Sequence, residues 1–220
     1  GGTCGPGETV TLADALRLSC NIPFAEIGTA IGEDELRDYA KAYGFGNDLG
    51  IPMPVTPSTI PSSLDAPQLM LSSFGQANVR VTPLQVAMVS AGIANGGVVM
   101  KPTLIRAITA PDLTVIQPFL PTVFSAPITR ESSATLTQLM VNNVNNGAAS
   151  NGRIGGVDVA GKTGTAQNGE GQPLTLRFTG FAPANDPKIA VAVVVENGTS
   201  FGYAVAAPIA RKVIEAVLNK

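Results

Sequence analysis

The sequence predicts an α+β fold in which an antiparallel β-sheet packs against helices. Three observations lead to this fold class. Helical patterns dominate the first 145 residues, strand-like segments follow one another with short links after residue 156, and a closing helix begins at Ala204. Short links between successive strands favour antiparallel pairing. The chain has 220 residues, enough for one sizeable core or two small ones.

The first predicted helix covers 12–18, where apolar residues recur at helical spacing behind Thr11, a residue type that caps helices. Ser19-Cys20-Asn21 ends it, and a second short helix is predicted after Pro23. Residues 44–67 hold five prolines and no clear period, which indicates a long ordered loop on the surface.

Four further helices are predicted from periodicity and end signals, at 33–43, 83–94, 129–145 and 204–218. Gly44 stops the first of them. The second begins with Thr82-Pro83, ends at Asn95-Gly96-Gly97 and carries few charges, so we expect it to be buried. Asn146-Gly147 stops the third, and the fourth tolerates Pro208 in its first turns.

Three strands are predicted after residue 156, at 157–160, 178–183 and 188–196, and Asn197-Gly198 turns the chain after the last of them. The strand over 188–196 has the strongest pattern. Residues 98–117 are weakly patterned extended segments.

Composition excludes several classes of function. The net charge of −2 gives no basic field, so nucleic acid is not an expected partner. The longest unbroken apolar run, Ile189–Val195, is far too short for a membrane span. There is no histidine, so neither a Ser-His-Asp triad nor a Cys-His pair can form. Histidine-based zinc sites are excluded and two cysteines do not make a four-thiolate site, so we predict no metal and no cofactor.

Residues 155–167, GGVDVAGKTGTAQ, allow two interpretations. Gly156–Thr163 matches a nucleotide-binding P-loop, which requires Lys162-Thr163 at the start of a helix. Three glycines and a proline within the next eleven residues argue against a helix there. The strand-like alternation up to Ala160 favours the other interpretation, in which Lys162-Thr163-Gly164 lies on an edge strand where a substrate backbone can pair.

Ser19 and Asn21 are the second candidate pair. Side chains two residues apart face the same way in an extended segment but not in a helix. If they act together, the helix must therefore end by about Leu18, with both side chains in a cleft and Cys20 turned away. Taken alone, Ser-x-Asn is more typical of a helix C-cap or a turn than of a catalytic pair.

Together with several further segments, these motifs resemble a known family. Their order along the chain is that of the class B penicillin-binding proteins, and within that family the chain is most similar to the actinobacterial penicillin-binding protein A group. The segments that carry the resemblance are Leu18–Phe24, Tyr43–Gly46, Gly75–Ala77, Val81–Ala87, Ala94–Gly97, Ala160–Gln167 and Thr179–Pro183. The resemblance implies a penicillin-binding, serine transpeptidase-like fold over nearly the whole chain.

The chain departs from the family pattern in two places. No serine has a lysine three residues later, so the Ser-x-x-Lys motif that carries the family's nucleophile and base is missing. We therefore expect residues 1–220 to be a single transpeptidase domain without its N-terminal portion, inactive alone because the nucleophile lies upstream. Gly75-Gln76-Ala77 replaces the family's Gly-Gln-Gly, which we expect to alter a loop rather than the chemistry.

The resemblance implies peptidoglycan D,D-transpeptidation through a serine acyl-enzyme, in cell-wall synthesis, cell shape and division, with acylation by β-lactams. In the transpeptidation reaction that the resemblance implies, Ser19 relays a proton to the leaving amine. Asn21 hydrogen-bonds the donor peptide, and Lys162 places positive charge beside Ser19 and opposite the substrate's terminal carboxylate. The backbone N–H of Thr165 is expected to be one oxyanion-hole donor.

Three consecutive residues of the same segment are expected to bind substrate. The hydroxyl groups of Thr163 and Thr165 bind the terminal carboxylate, and Gly164 leaves room for the substrate because it has no side chain.

Two other functions stay open as alternatives to the transpeptidase at this point. One is a non-catalytic peptidoglycan or β-lactam sensor of the same fold, and the other is the nucleotide-binding protein. A hydrolytic β-lactamase is disfavoured because no acidic deacylation motif can be placed.

The expected partners are D-Ala-D-Ala stem peptides, β-lactam antibiotics and cell-wall synthesis or division proteins. The expected location is the extracytoplasmic face of the bacterial membrane, with an anchoring segment outside this sequence. In that compartment Cys4 and Cys20, sixteen residues apart, are candidates for a disulfide that would hold Ser19 and Asn21 in place. The alternative is that they are two unrelated small apolar residues.

Overall fold

The computed structural model describes Cys4 and residues 9–219. The helices, in chain order, are α1 (Leu12–Leu18), α2 (Ile22–Ala42), α3 (Ala66–Ser72), α4 (Pro83–Ala94), α5 (Arg130–Asn146) and α6 (Gly202–Leu218). The strands are β1 (Val99–Met100), β2 (Ala107–Thr109), β3 (Val115–Pro118), β4 (Val123–Ser125), β5 (Ala160–Ala166), β6 (Leu174–Ala182) and β7 (Ile189–Gly198). The predicted α+β fold with an antiparallel sheet is confirmed.

The helices of the first half follow the local signals of the sequence. Thr11 caps α1 by accepting a hydrogen bond from the Asp14 backbone N–H. The second and third predicted helices are the two halves of α2, which Gly32 divides with a φ of +86°. Thr82 caps α4 in the same way as Thr11 caps α1, and several α4 side chains are buried as expected, among them Met88 and Ile93.

Helix α3 was not predicted, and the expected loop over 44–67 ends where it begins. Asp65 accepts a hydrogen bond from the Gln68 backbone N–H, while the Gln68 side chain accepts one from the Asp65 backbone N–H. This reciprocal capping box was visible in the sequence as Asp-Ala-Pro-Gln, but Pro67 within it and Pro61 just before it concealed it.

The central sheet has the order β5-β6-β7 and is antiparallel throughout. The predicted strand over 157–160 was wrong in its position, since β5 begins at Ala160 and Val157 makes only an isolated bridge with Ile154. The alternation up to Ala160 therefore marked the approach to the strand rather than the strand itself. Strand β6 begins at Leu174, earlier than the predicted residue 178.

Helices cover both faces of the sheet. On one face, Phe178 and Val191 pack against Ala206, Ala210 and Ile214 of α6, all of which are buried. On the other, the buried side chains of Ala160 and Phe181 pack against Ile93 of α4 and Met140 of α5. The extended stretch near residue 100 forms two small antiparallel pairs, β1 with β4 and β2 with β3. Strand β5 lies at the edge of the sheet, as its predicted role requires.

Candidate active site

A cleft of about 630 Å³ lies between the outer edge of β5 and the junction of α1 with α2. It brings together every cleft residue that the sequence singled out. Those residues are Ser19, Asn21, Lys162, Thr163, Gly164 and Thr165. The sequence separates the two groups by more than 140 residues, so only the tertiary fold unites them.

The junction of α1 and α2 turns Ser19 and Asn21 toward the cleft. Helix α1 ends at Leu18, and Ser19 adopts a left-handed conformation with a φ of +58°. Cys20 points inward and is buried, whereas Ser19 and Asn21 are exposed. The prediction that the helix ends at Leu18 is confirmed. The expected extended segment is wrong, because Ser19 is left-handed and Asn21 already has helical backbone angles at the start of α2. The Asn21 side chain lines the cleft and makes no hydrogen bond among the residues that the structure describes.

Lys162 connects β5 to residues 19–21 between α1 and α2, which we call the Ser19 loop. Its Nζ donates hydrogen bonds to Ser19 Oγ at 2.6 Å and to the backbone carbonyl of Thr163 at 2.9 Å. Burial lowers the pKa of Lys162 to about 8, because a charged ammonium loses solvation in the cleft. The ammonium form still predominates at neutral pH, so Lys162 is a cation in hydrogen-bond contact with a hydroxyl group.

The outer edge of β5 is open to the cleft over its second half. Asn143 of α5 donates to the backbone carbonyl of Gly161 at 2.9 Å and so covers the first half of this edge. Farther along, the Gln76 side chain donates to the carbonyl of Thr165 at 3.5 Å, which shows that this carbonyl points away from β6. In a strand the N–H and C=O of one residue point to the same side. The Thr165 N–H therefore points into the cleft.

The two threonine hydroxyls are already in contact with the protein. Thr165 Oγ1 accepts a hydrogen bond from the Gly202 backbone N–H at 3.1 Å, which leaves its own proton available to an anion. Thr163 Oγ1 donates to the carbonyl of Ala148 at a long 3.4 Å. A carboxylate bound here would compete with that weak contact.

An aromatic pair forms one rim of the cleft. Phe201 and Tyr203 are exposed, and their rings stack with centroids 5.9 Å apart. Gly202 lies between them, so close to β5 that an added Cβ would be 2.4 Å from the Gly164 carbonyl oxygen. This pair was not predicted from the sequence, because the Phe-Gly-Tyr segment carries no motif and only the start of α6 brings it to β5.

The loop after α3 forms another wall of the cleft, which the sequence did not predict. Gln76 contacts the Thr165 carbonyl, and Ala77 has a φ of +58°, in the left-handed region that favours glycine. Gly75-Gln76-Ala77, where we expected the alanine to alter a loop, lies in this loop. The structure adds that the loop borders the cleft directly.

The structure joins the sulfur atoms of Cys4 and Cys20 in a disulfide, with their Cα atoms 5.8 Å apart. Cys20 is the middle residue of the Ser-x-Asn segment. The disulfide therefore attaches the residue between Ser19 and Asn21 to the start of the described chain.

The interior position of Lys162 in β5 argues against the nucleotide-binding interpretation, because no helix begins at Lys162-Thr163. Within the described residues, no group of three or more His, Cys, Asp and Glu side chains is placed to hold a metal ion. Over that same part of the chain, no helix is both long and apolar enough to cross a membrane.

Residues 3–215 match the family model of the penicillin binding protein transpeptidase domain. The chain is 42% identical over 228 residues to peptidoglycan D,D-transpeptidase PbpA of Mycolicibacterium smegmatis, covering all of this chain and 46% of that protein. It is 40% identical to PbpA of Mycobacterium tuberculosis, again covering all of this chain and 46% of the relative. The chain thus spans about half the length of the curated relatives it matches.

The same similarity holds for solved structures. A crystal structure of PBPA from M. tuberculosis superposes with a TM-score of 0.92 at 40% identity, over 98% of this chain and 53% of that one. The ceftriaxone acyl-enzyme complex of M. tuberculosis penicillin-binding protein A gives a TM-score of 0.93 at 40% identity, over 98% of this chain and 50% of that one.

Proposed function

This chain belongs to the penicillin-binding protein transpeptidase family, and from that premise we propose that it is the C-terminal part of a peptidoglycan D,D-transpeptidase domain. In the proposed reaction a serine oxygen attacks the penultimate D-Ala carbonyl of a stem peptide. The bond to the terminal D-Ala breaks, and D-Ala leaves as the free amine. An amine of a second stem peptide then displaces the serine and forms the cross-link.

The observation that carries the proposal is the 2.6 Å hydrogen bond between Lys162 Nζ and Ser19 Oγ. A hydroxyl in contact with an ammonium whose pKa burial lowers to about 8 can pass a proton at modest cost. Ser19 is therefore our candidate for the group that protonates the leaving D-Ala amine. Asn21, exposed beside it, is the candidate for holding the donor peptide's amide.

Substrate binding is assigned to the open edge of β5. The donor peptide lies along this edge as an added strand, and its terminal carboxylate faces Lys162 and the Thr163 and Thr165 hydroxyls. The inward-pointing N–H of Thr165 is the candidate oxyanion-hole donor. The lack of a side chain at Gly164 leaves space for the peptide. The other oxyanion donor in this proposal is the backbone N–H of the attacking serine.

The attacking serine is proposed to lie outside this sequence. None of the serines among the 220 residues stands three residues before a lysine, the arrangement that carries nucleophile and base in this family. The proposed setting is the extracytoplasmic side of the bacterial membrane, where a disulfide such as Cys4–Cys20 persists. Stem peptides and β-lactams are the proposed ligands, and cell-wall synthesis or division proteins the proposed partners.

The test is the intact mass of the protein before and after exposure to a reactive penicillin. We expect the product of the complete reading frame to gain one penicillin mass and residues 1–220 to gain none. Labelling of residues 1–220 would mean that one of their own serines is the nucleophile, and the relay role of Ser19 would be wrong. If neither protein is labelled, the non-catalytic sensor becomes the better account of the fold.

A further inference from the structure

A second cavity, of about 690 Å³, adjoins the candidate active site. It lies at the end of the sheet where β5 finishes, between the loop that follows α3 and one face of β6 and β7. Gln76 lines both cavities, and Ala166 and Gln167, which continue the edge strand, line the second one. A peptide bound along β5 and continuing past Thr165 would therefore reach this cavity.

Arg177 of β6 is the half-buried charged residue of this cavity. Its Nε atom is buried and has no hydrogen-bond partner, and no ion pair joins Arg177 to an acidic side chain within the part of the chain that the structure describes. Burial lowers the pKa of the guanidinium. A partly buried cation without a counter-charge loses part of its solvation, so an anion that enters the cavity would be bound favourably.

The neighbours of Arg177 favour an anion from the substrate side. Gly164 lies directly opposite Arg177 in the β5–β6 register, on the face that Lys162 shares, and an added Cβ there would lie 3.5 Å from Arg177 Cβ. Arg80, also without an ion pair among the described residues, lines the same cavity. Glu196 is the one acidic side chain in the lining, so the charged lining groups sum to a net positive charge.

We propose that Arg177 anchors an anion subsite that binds a side-chain carboxylate of the donor stem peptide, in the part of the peptide that precedes D-Ala-D-Ala. The inference rests on the proposed function and adds a specificity determinant to it. Planar guanidinium groups recognise carboxylates by paired hydrogen bonds, which makes arginine suited to this role. Arg80 at the rim adds long-range attraction for the same group.

Two synthetic peptides test the subsite. Both end in D-Ala-D-Ala, and the residue before it carries a side-chain carboxylate in one and the corresponding amide in the other. Binding is measured by calorimetry at neutral pH to residues 1–220 and to the variants Arg177→Gln and Arg177→Lys. Arg106→Gln, which removes an exposed arginine near β2 and away from both cavities, is the matched control.

We expect the parent chain and Arg106→Gln to bind the acidic peptide about tenfold more tightly than the amide. Arg177→Gln should lose this preference while retaining its affinity for the amide, and Arg177→Lys should retain part of it. A thermal unfolding midpoint for each variant establishes that it is folded.

Two results would overturn the inference in distinguishable ways. If the parent chain binds both peptides equally, or if Arg177→Gln weakens both by the same factor, the subsite is wrong and the proposed function is untouched. If the parent chain binds neither peptide, the subsite is wrong, and penicillin labelling of the complete reading-frame product decides separately whether the proposed function fails with it.

Discussion

At the scale of single residues, the site depends on a cation held against a hydroxyl. Lys162 is half-buried, and its side chain spans from the edge strand to Ser19 in the loop between α1 and α2. Desolvation alone lowers its pKa. The protein thus accepts a cost in stability to place a positive charge where the substrate's terminal carboxylate is proposed to bind.

The first prediction concerns this cost. Between pH about 8 and the ordinary pKa of lysine, the unfolded chain binds more protons than the folded one, so stability rises with pH in that window. Lys162→Met removes the effect. We expect the variant to be more stable than the parent at neutral pH, with the difference narrowing above pH about 8, and to lose binding of D-Ala-D-Ala peptides.

Urea unfolding at a series of pH values checks this prediction, with peptide binding measured at neutral pH. Lys101→Met, which removes an exposed lysine outside the cleft, controls for the loss of one positive charge. A Lys162→Met variant that is less stable than the parent at neutral pH would show that the Ser19 and Thr163 contacts outweigh the desolvation of the ammonium.

At the scale of elements, the second half of β5 is the edge of the sheet to which we assign the donor peptide. Helix α5 covers the start of this edge through Asn143, and the loop carrying Gln76 meets it at Thr165. Helix α6 begins directly against β5, since Gly202 donates to Thr165 Oγ1. The open stretch between these contacts is where an added strand can pair.

The second prediction separates the roles of two glycines, Gly164 in β5 and Gly202 at the start of α6. A Cβ at Gly164 would make an ordinary contact of 3.5 Å with Arg177 Cβ, whereas a Cβ at Gly202 would lie 2.4 Å from the Gly164 carbonyl oxygen. We expect Gly164→Ala to change the unfolding free energy by less than about 0.5 kcal/mol and yet to weaken peptide binding. Gly202→Ala should cost about 1–3 kcal/mol by displacing α6.

Chemical denaturation and peptide titration of the two variants, side by side, check this prediction. Each serves as the other's control, because both add one methyl group within the same contact region. Unchanged peptide affinity in a folded Gly164→Ala variant would contradict the assignment of this edge to the substrate.

At the scale of the whole molecule, distant parts of the chain converge on one cleft. The sheet forms the middle layer, α6 packs on one face and α4 and α5 pack on the other. The Ser19 loop comes from the helical first part, and the disulfide from Cys4 to Cys20 attaches it to the start of the described chain.

The third prediction follows from that disulfide. In the chain-entropy model a cross-link of this loop length stabilises the folded state by about 3 kcal/mol, so a strong reductant should lower the unfolding free energy by that order. Peptide affinity should fall as well, because Cys20 lies between Ser19 and Asn21. Denaturation and binding with and without reductant measure both effects.

The double variant Cys4→Ser, Cys20→Ser is the control for this experiment. It should resemble the reduced parent chain and should not respond to reductant. A reduced parent chain with unchanged stability and affinity would mean that the Ser19 loop is positioned by its packing alone.

Local signals in the sequence were enough to predict the elements whose ends or patterns are clear. Threonine caps predicted the starts of α1 and α4, and Asn146-Gly147 marked the end of α5. Hydrophobic alternation predicted β7. Local signals failed where the pattern was ambiguous, as at the start of β5, or where prolines concealed a cap, as at α3. The order of the motifs also identified the family, because that order can be read directly along the chain without knowledge of the fold.

Only the tertiary structure decided how these elements form a site. It brought Lys162 within hydrogen-bond distance of Ser19 and turned the Thr165 N–H toward the cleft. It also placed Gln76 and the Phe201–Tyr203 pair on the cleft walls and left Arg177 half-buried without a counter-charge among the described residues. The physical reason is that burial and hydrogen bonding between residues far apart in sequence depend on packing, and packing leaves no local pattern from which it can be read.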